Sequence, residues 1–460
     1  MGSVVMKLKV DSRKVIPGDT FLALRGVDSD GHQYIEKAIE NGAIKIIAEE
    51  GSYAVETEIV PDTRAYLATY LKDYYHDMLS KLQLIGITGT NGKTTSAFLL
   101  HKAFYQVGIK AAYIGTVGFY MDEKVRSLNN TTPDLYELYA LFEEAYKQGC
   151  KIIVMEVSSQ GIAYGRIEGL EFDLAIFTNL TQDHLDFHKS MGNYALAKQQ
   201  LFKQLKKDGL ALINADDSYK EYFLLDQNIN VTYGFTNSDY QVIDYQMTNI
   251  DTVFTCRYHD ELYTFDMSLL GKYNVYNALV TIAALHEYGV SFDKIRSIFP
   301  HLSAPVGRMD MVRYQTNTII VDYAHTPDAI EKILRTVGEV EPEHIYVVFG
   351  CTGDRDRLKR PIMMELVTNL ADYAIITNDD PHDEDPKQIV ADMIDGIEKE
   401  NFEVILDRPK AIAKGISLLK SHDVLLILGK GHEEFMIVKD KKIPMNDKKI
   451  VEDLLKEYQR

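Results

Sequence analysis

The stretch Leu84-Ile85-Gly86-Ile87-Thr88-Gly89-Thr90-Asn91-Gly92-Lys93-Thr94-Thr95 reads as a buried strand, a tight glycine loop and the first turn of a helix. Glycines in such a loop let backbone N–H groups turn inward around phosphate oxygens. Lys93 adds a mobile positive charge, and Thr94 offers a hydroxyl to a phosphate-bound Mg2+. A generic phosphate loop carries glycine where this chain has Ile87. The run Gly89-Thr90-Asn91-Gly92-Lys93-Thr94 is therefore a shortened relative and marks a narrower class than nucleotide binding at large.

Working outward, 460 residues are too many for one typical core and predict two to four domains. With 46% hydrophobic and 26% charged residues, the composition is that of a soluble globular protein. No apolar run reaches the length of a membrane span, and the N-terminus lacks a cleavable apolar segment. Met1-Gly2 invites myristoylation, but Met6 stands where a serine or threonine is needed. Cys150, Cys256 and Cys351 are scattered without metal spacing, which predicts buried thiols in a reducing, cytoplasmic compartment. A net charge of −18 argues against non-specific nucleic-acid binding. Anionic substrates would need positive charge concentrated locally.

The organisation is α/β in three parts: residues 1–83, 84–305 and 306–460. The first is a small unit with Val10-Asp11-Ser12-Arg13, Asp30-Gly31-His32 and no phosphate loop. Its Asp-Ser-Arg reads equally well as a structural turn or a ligand site. The second starts at the glycine loop. Its strands Lys151–Ser159 and Leu174–Leu180 end in polar groups, where parallel sheets meet ligands. Alternation over about 230 to 267 predicts antiparallel strands, and an alanine-rich helix follows Gly271-Lys272-Tyr273-Asn274. The third part alternates strands and helices. Its strands end in Ala324-His325-Thr326-Pro327, Gly353-Asp354-Arg355-Asp356-Arg357, Asn378-Asp379-Asp380-Pro381-His382 and Gly429-Lys430-Gly431-His432-Glu433. Four such loops on one sheet edge predict a ligand site.

Glu156 and His184 follow strands in the part that carries the loop, and both can ligate Mg2+ once phosphate charge is present. Lys198, on the helix after them, has two readings. It is either a surface lysine on an amphipathic helix or a cation beside metal ions, and spacing alone does not choose.

These residues together resemble the Mur ligase family of ATP-dependent amino-acid ligases, which build the peptidoglycan stem peptide. The carriers are Gly89 to Thr94, Met155-Glu156-Val157-Ser158-Ser159, Phe177-Thr178-Asn179-Leu180, Asp183-His184-Leu185-Asp186, Asn193 to Lys198, and Asn274 with Asn277. Asp11-Ser12-Arg13 with Asp30-Gly31-His32, Asp322 to Pro327, and Gly429 to Glu433 narrow the likeness to the UDP-N-acetylmuramoyl-tripeptide synthetase (MurE) branch. Folylpolyglutamate synthetase shares the ligase core but is expected to lack the N-terminal unit and the last two motifs.

The resemblance implies a UDP-binding domain, a central P-loop ATPase-type domain with a mainly parallel sheet, and a Rossmann-like amino-acid domain. It implies that ATP phosphorylates the D-glutamate side-chain carboxylate of UDP-N-acetylmuramoyl-L-alanyl-D-glutamate. The amino group of a free amino acid then attacks this acyl phosphate. Lys93, Lys198, Glu156 and His184 would be the catalytic set, with Thr94, Glu156, His184 and a carbamylated Lys198 around Mg2+. Gly89, Thr90, Asn91, Gly92, Lys93, Thr94, Thr95, Asn277, Arg308 and Asp322 would contact ATP. Val10, Ser12, the loop Val27-Asp28-Ser29, Asn130, Thr131, Thr132, Ser158 and Arg166 would hold the UDP substrate. Arg355, Asp379, Asp380, Pro381, His382, Gly429 and Glu433 would hold the amino acid. A cytoplasmic monomer that binds neither nucleic acid nor membrane is expected, and the site would be complete only on domain closure.

Members that add meso-diaminopimelate typically carry Asp-Asn-Pro-Arg where this chain has Asp379-Asp380-Pro381-His382. Histidine cannot fork onto a distal carboxylate, and Asp380 adds negative charge. The sequence therefore predicts L-lysine as the added amino acid, the alternatives being meso-diaminopimelate or L-ornithine, or a related Mur-type ligase with a different acceptor.

Overall fold

The computed structural model describes residues 7–26, 30–248 and 251–458. Val27-Asp28-Ser29 lies outside the described residues. Contacts gather the chain into two compact units, Met1–Lys93 with Phe104–Thr232, and Thr94–Ala103 with Tyr233–Arg460.

In the first unit, four short parallel strands form a sheet in the order Leu8–Lys9, Thr20–Leu22, Lys45–Ala48, Glu56–Ile59. Leu22, Ile47, Leu67 and Leu71 share one core with Leu138 and Phe142 of the helix Leu135–Lys147. Burial of that shared face explains why the first 83 residues do not stand apart here.

The larger sheet of this unit has a parallel centre in the order Leu205–Asn214, Phe172–Phe177, Gln83–Thr88, Ile152–Glu156, Ala111–Gly115. Gly118–Tyr120 and Lys124–Arg126 extend it antiparallel. Both faces of its central strands are covered, so Ile85, Ile87, Ile153, Val154 and Ile176 read as continuous apolar runs. Parallel pairing brings Thr88, Glu156 and Phe177 to the same edge.

In the second unit, Tyr240–Met247, Thr252–Tyr258 and Glu261–Met267 are antiparallel, as their alternation predicts. Ile229–Gly234 instead joins Tyr240–Met247 in parallel. Alternation reports one buried face but not strand direction. The helix Lys272–Glu287 follows. The last sheet runs Asp310–Tyr314, Asn317–Asp322, Val424–Leu428, Ile345–Phe349, Tyr373–Ile376, Phe402–Val404, parallel except at its Asp310 edge. The four polar loops therefore do share one edge. No helix of the described residues is long and apolar enough to cross a membrane.

Candidate functional site

The glycine loop is held by the end of the neighbouring strand. Thr178 Oγ1 and Asn179 Nδ2 both donate to the Asn91 carbonyl, at 2.7 and 2.9 Å. The Asn91 N–H donates to Asn179 Oδ1 at 3.0 Å, and the Thr90 N–H to the Asn179 carbonyl at 2.8 Å. Gly89 is at φ +149°, and a Cβ there would lie 1.9 Å from Thr178 Oγ1, so only glycine fits. Lys93 starts the helix Lys93–Gln106 and donates to the Gly89 and Thr90 carbonyls, each at 2.9 Å. Thr94 and Thr95 are buried in its first turn. Thr178 and Asn179, quoted in sequence only as a family match, are thus the frame of the loop.

Lys198 sits on the helix Met191–Lys203, which Ser190 caps at its N-terminus. It is 1% exposed, donates to the Gly89 carbonyl at 2.7 Å, and lies 4.6 Å from the centre of the Tyr194 ring. Among the described residues no carboxylate forms an ion pair with it. Burial, and secondarily the charge of Lys93, hold its amine well below the ordinary lysine range. The surface-lysine reading is therefore excluded: this amine is desolvated and aimed at the phosphate loop.

Glu156 is fully buried at the end of its strand. Its Oε1 accepts from the Tyr113 hydroxyl and from the Thr116 N–H at 2.9 Å, and Oε2 from Thr116 Oγ1 at 3.2 Å. Thr116 Oγ1 is also 3.1 Å from Thr131 Oγ1. Thr132 Oγ1 donates to the Glu156 carbonyl at 3.0 Å and accepts the Ser158 N–H at 2.9 Å. Arg166 donates to the Thr132 carbonyl at 3.0 Å and pairs with Asp134 at 2.9 Å. Glu156, Thr131, Thr132, Ser158 and Arg166, drawn from two predicted groups, thus form one network. Thr116 and Tyr113 join it without any signal in the sequence beyond their place near a strand end. His184 adopts a left-handed conformation, φ 51°, and its Nε2 lies 3.4 Å from Asp183.

Towards the N-terminus, Ser12 is buried and its carbonyl accepts from Asn41 Nδ2 at 2.8 Å. His32 is a brace: Nδ1 donates to Asp30 at 2.7 Å while Nε2 accepts the Glu49 N–H at 3.0 Å. Asp11 caps the turn Ser12–Lys14 and pairs with Arg13 at 2.9 Å.

In the second unit, Asn277 Oδ1 accepts from Ser96 Oγ at 3.0 Å, and its Nδ2 donates to Asn274 Oδ1 at 2.9 Å. Asp322 accepts the Met309 and Ala324 N–H groups at 2.7 and 2.8 Å, and burial pushes its carboxyl up. Arg308 lies 4.8 Å from the centre of the Tyr323 ring. Asp322 and Arg308 thus converge.

The four C-terminal loops interlock. Lys430, 1% exposed at its side chain, donates to Asp380 Oδ1 at 2.7 Å and Glu433 Oε2 at 2.6 Å, with Asp379 at 3.7 Å. Asp380 Oδ1 also accepts the Ile437 N–H at 2.9 Å. Gly429, at φ +109°, leaves room that a Cβ would close to 2.3 Å from Asp379 Oδ2. The hairpin Phe435–Val438 and Lys441–Pro444, which sequence reasoning missed, bonds edge-on to His382. Pro381 is buried, and Arg355 is exposed with no ion-pair partner among the described residues.

Sequence models of three domains match in order along the chain. They are the Mur ligase family catalytic domain over residues 5–83, the Mur ligase middle domain over 87–285, and the Mur ligase glutamate ligase domain over 307–431. A protein of Clostridium botulinum named UDP-N-acetylmuramoyl-L-alanyl-D-glutamate–2,6-diaminopimelate ligase is 41% identical over 98% of this chain and 95% of its own. A Bacillus cereus protein of the same name is 38% identical over 98% and 94%. A solved structure of a ligase with that name is 31% identical, with a TM-score of 0.75, covering 99% of this chain and 95% of that one. A MurF ligase from Thermotoga maritima, 18% identical with a TM-score of 0.68 over 100% and 99%, shares the fold. The chain belongs to the Mur ligase family, ATP-dependent enzymes that form amide bonds. Within that family it falls in the UDP-N-acetylmuramoyl-tripeptide synthetase branch.

The relatives do not support the lysine reading of Asp380 and His382, since those named here are diaminopimelate ligases. The reading took the charge of Asp380 to be free for a distal ammonium. Lys430 and the Ile437 N–H already engage it.

Proposed function

We propose that this chain joins meso-2,6-diaminopimelate to the D-glutamate side-chain carboxylate of UDP-N-acetylmuramoyl-L-alanyl-D-glutamate with ATP, in peptidoglycan precursor synthesis. Relatives spanning nearly the whole chain carry that activity in their names. The observation that carries the reading is Lys198, a desolvated amine 2.7 Å from the Gly89 carbonyl of the phosphate loop. The loop it touches follows the strand Gln83–Thr88, whose parallel neighbour Ile152–Glu156 leads into Ser158 and its partners Thr132 and Arg166.

A carboxylate resists amines until one oxygen becomes a phosphate leaving group. The loop N–H groups and Lys93 hold and neutralise the phosphates, so positioning does most of the work. Lys93 would leave the two carbonyls it now bonds and turn to phosphate oxygens. Bound Mg2+ would supply further charge neutralisation, with Thr94, Glu156 and His184 as ligands. An ammonium at Lys198 would oppose a metal there. An unprotonated amine instead takes up CO2 and releases a proton, which converts Lys198 into an anionic oxygen donor. Arg355 is suited to the α-carboxylate, and Asp379 and Glu433 to the side-chain end. On this reading the parts 1–83, 84–305 and 306–460 would take the UDP end of the substrate, ATP and the amino acid in turn. A cytoplasmic setting fits substrates such as ATP and a UDP-sugar.

The test is phosphate release from ATP by purified enzyme with Mg2+, UDP-dipeptide and single amino acids. Diaminopimelate should support turnover that depends on the UDP-dipeptide. Efficient use of lysine with negligible use of diaminopimelate would overturn the substrate assignment.

A further inference from the structure

Among the described residues, Lys430 is the cation that forms ion pairs with three carboxylates whose oxygens lie within 4.8 Å of one another, Asp379, Asp380 and Glu433. Its ammonium reaches Asp380 and Glu433 at hydrogen-bond length and stands 3.7 Å from Asp379. These carboxylates come from two loops, one after Tyr373–Ile376 and one after Val424–Leu428. The other buried cations of this region are already committed. Arg360 pairs with Glu384 and Asp392, and Arg408 with Asp447.

We infer that Lys430 is a positioning residue that fixes Glu433 and the Asp380 loop for the side-chain end of the incoming amino acid. This deepens the ligase reading above and rests on it. Lys430 takes Oε2 of Glu433 and leaves Oε1, which accepts only a long hydrogen bond from the Tyr323 hydroxyl at 3.5 Å, with a lone pair to meet a side-chain ammonium. By neutralising Asp380, it lets that carboxylate act as an amide would, as an uncharged-equivalent acceptor for the Ile437 N–H. With Oε2 bonded to Lys430, Oε1 of Glu433 is left as an acceptor at the side-chain end. The substrate class it selects is therefore an amino acid with a distal ammonium, which includes diaminopimelate. Asp380 and Lys430 act as a compensating pair. Removing the cation alone strands a buried carboxylate, whereas removing both charges does not.

The test is a double-mutant cycle on the full chain with Lys430→Met, Asp380→Asn and the pair, with Lys430→Arg as the charge-retaining control. Lys430→Met should raise the diaminopimelate KM by roughly 100-fold while the KM values for ATP and UDP-dipeptide change by less than about 3-fold. Adding Asp380→Asn should recover at least about 10-fold of that loss, and Lys430→Arg should fall between wild type and Lys430→Met. An unchanged amino-acid KM in Lys430→Met, or strictly additive effects, would overturn the inference. So would an insoluble Lys430→Met that Asp380→Asn does not restore to solubility. The same cycle read by urea unfolding needs no turnover. Coupling there without ligation would sink the ligase reading alone, and absence of coupling there sinks this one.

Discussion

Arg408 and Asp447 form a two-pronged ion pair with neither side chain exposed, Nε to Oδ1 at 2.8 Å and Nη2 to Oδ2 at 2.7 Å. The same guanidinium donates to the carbonyls of Asn378 and Leu428, the residues just before Asp379 and Gly429. One buried arginine thus sets the spacing of the two loops that carry the proposed side-chain pocket. Asp447→Ala leaves that arginine charged and unpaired in the core, which should cost about 3–5 kcal/mol. Urea unfolding of the variant checks this, and a loss below about 1 kcal/mol would contradict the anchoring role.

Lys198→Ala should abolish ligation, by roughly 1,000-fold or more, if an oxygen donor at this position is needed. Small carboxylic acids should restore part of the activity by placing an anion in the vacated space. Rescue by an alkylamine instead would show that the ammonium is the working form.

Gly89→Ala places a methyl 1.9 Å from Thr178 Oγ1 at a backbone angle side chains rarely adopt. Nucleotide affinity should fall by roughly 100-fold or more. Fluorescent-nucleotide titration reads this directly, and wild-type affinity would refute the close packing of loop on strand end.

Arg360 accounts for an acid-sensitive element. Its guanidinium donates to both Glu384 oxygens, at 2.8 and 2.7 Å, and holds that carboxyl down at about 2. A depressed folded-state value means that the stabilisation is full above the ordinary glutamate range and is lost as pH falls from about 4.5 towards about 2. Glu384→Gln should therefore destabilise by about 2 kcal/mol at neutral pH, and the gap from wild type should narrow on acidification. A gap independent of pH between 6 and 3 would rule out ionisation as its source.

Much of this protein was legible in the chain itself. Strand–loop–helix order around Gly89 to Lys93 fixes the phosphate loop locally, because glycine placement and apolar runs act over a few residues. The polar ends of Asn317–Asp322, Ile345–Phe349, Tyr373–Ile376 and Val424–Leu428 were predictable as one edge, because parallel strands share direction. Partnership across long separations was not legible. Asp380 reads as surplus negative charge until Lys430, fifty positions on, is folded against it. Lys198 reads as a surface cation or a site residue until burial strips its water. Sequence determined which groups the site could use, and tertiary structure decided their charge and reach. Desolvation and ion pairing depend on neighbours that only the packed chain supplies.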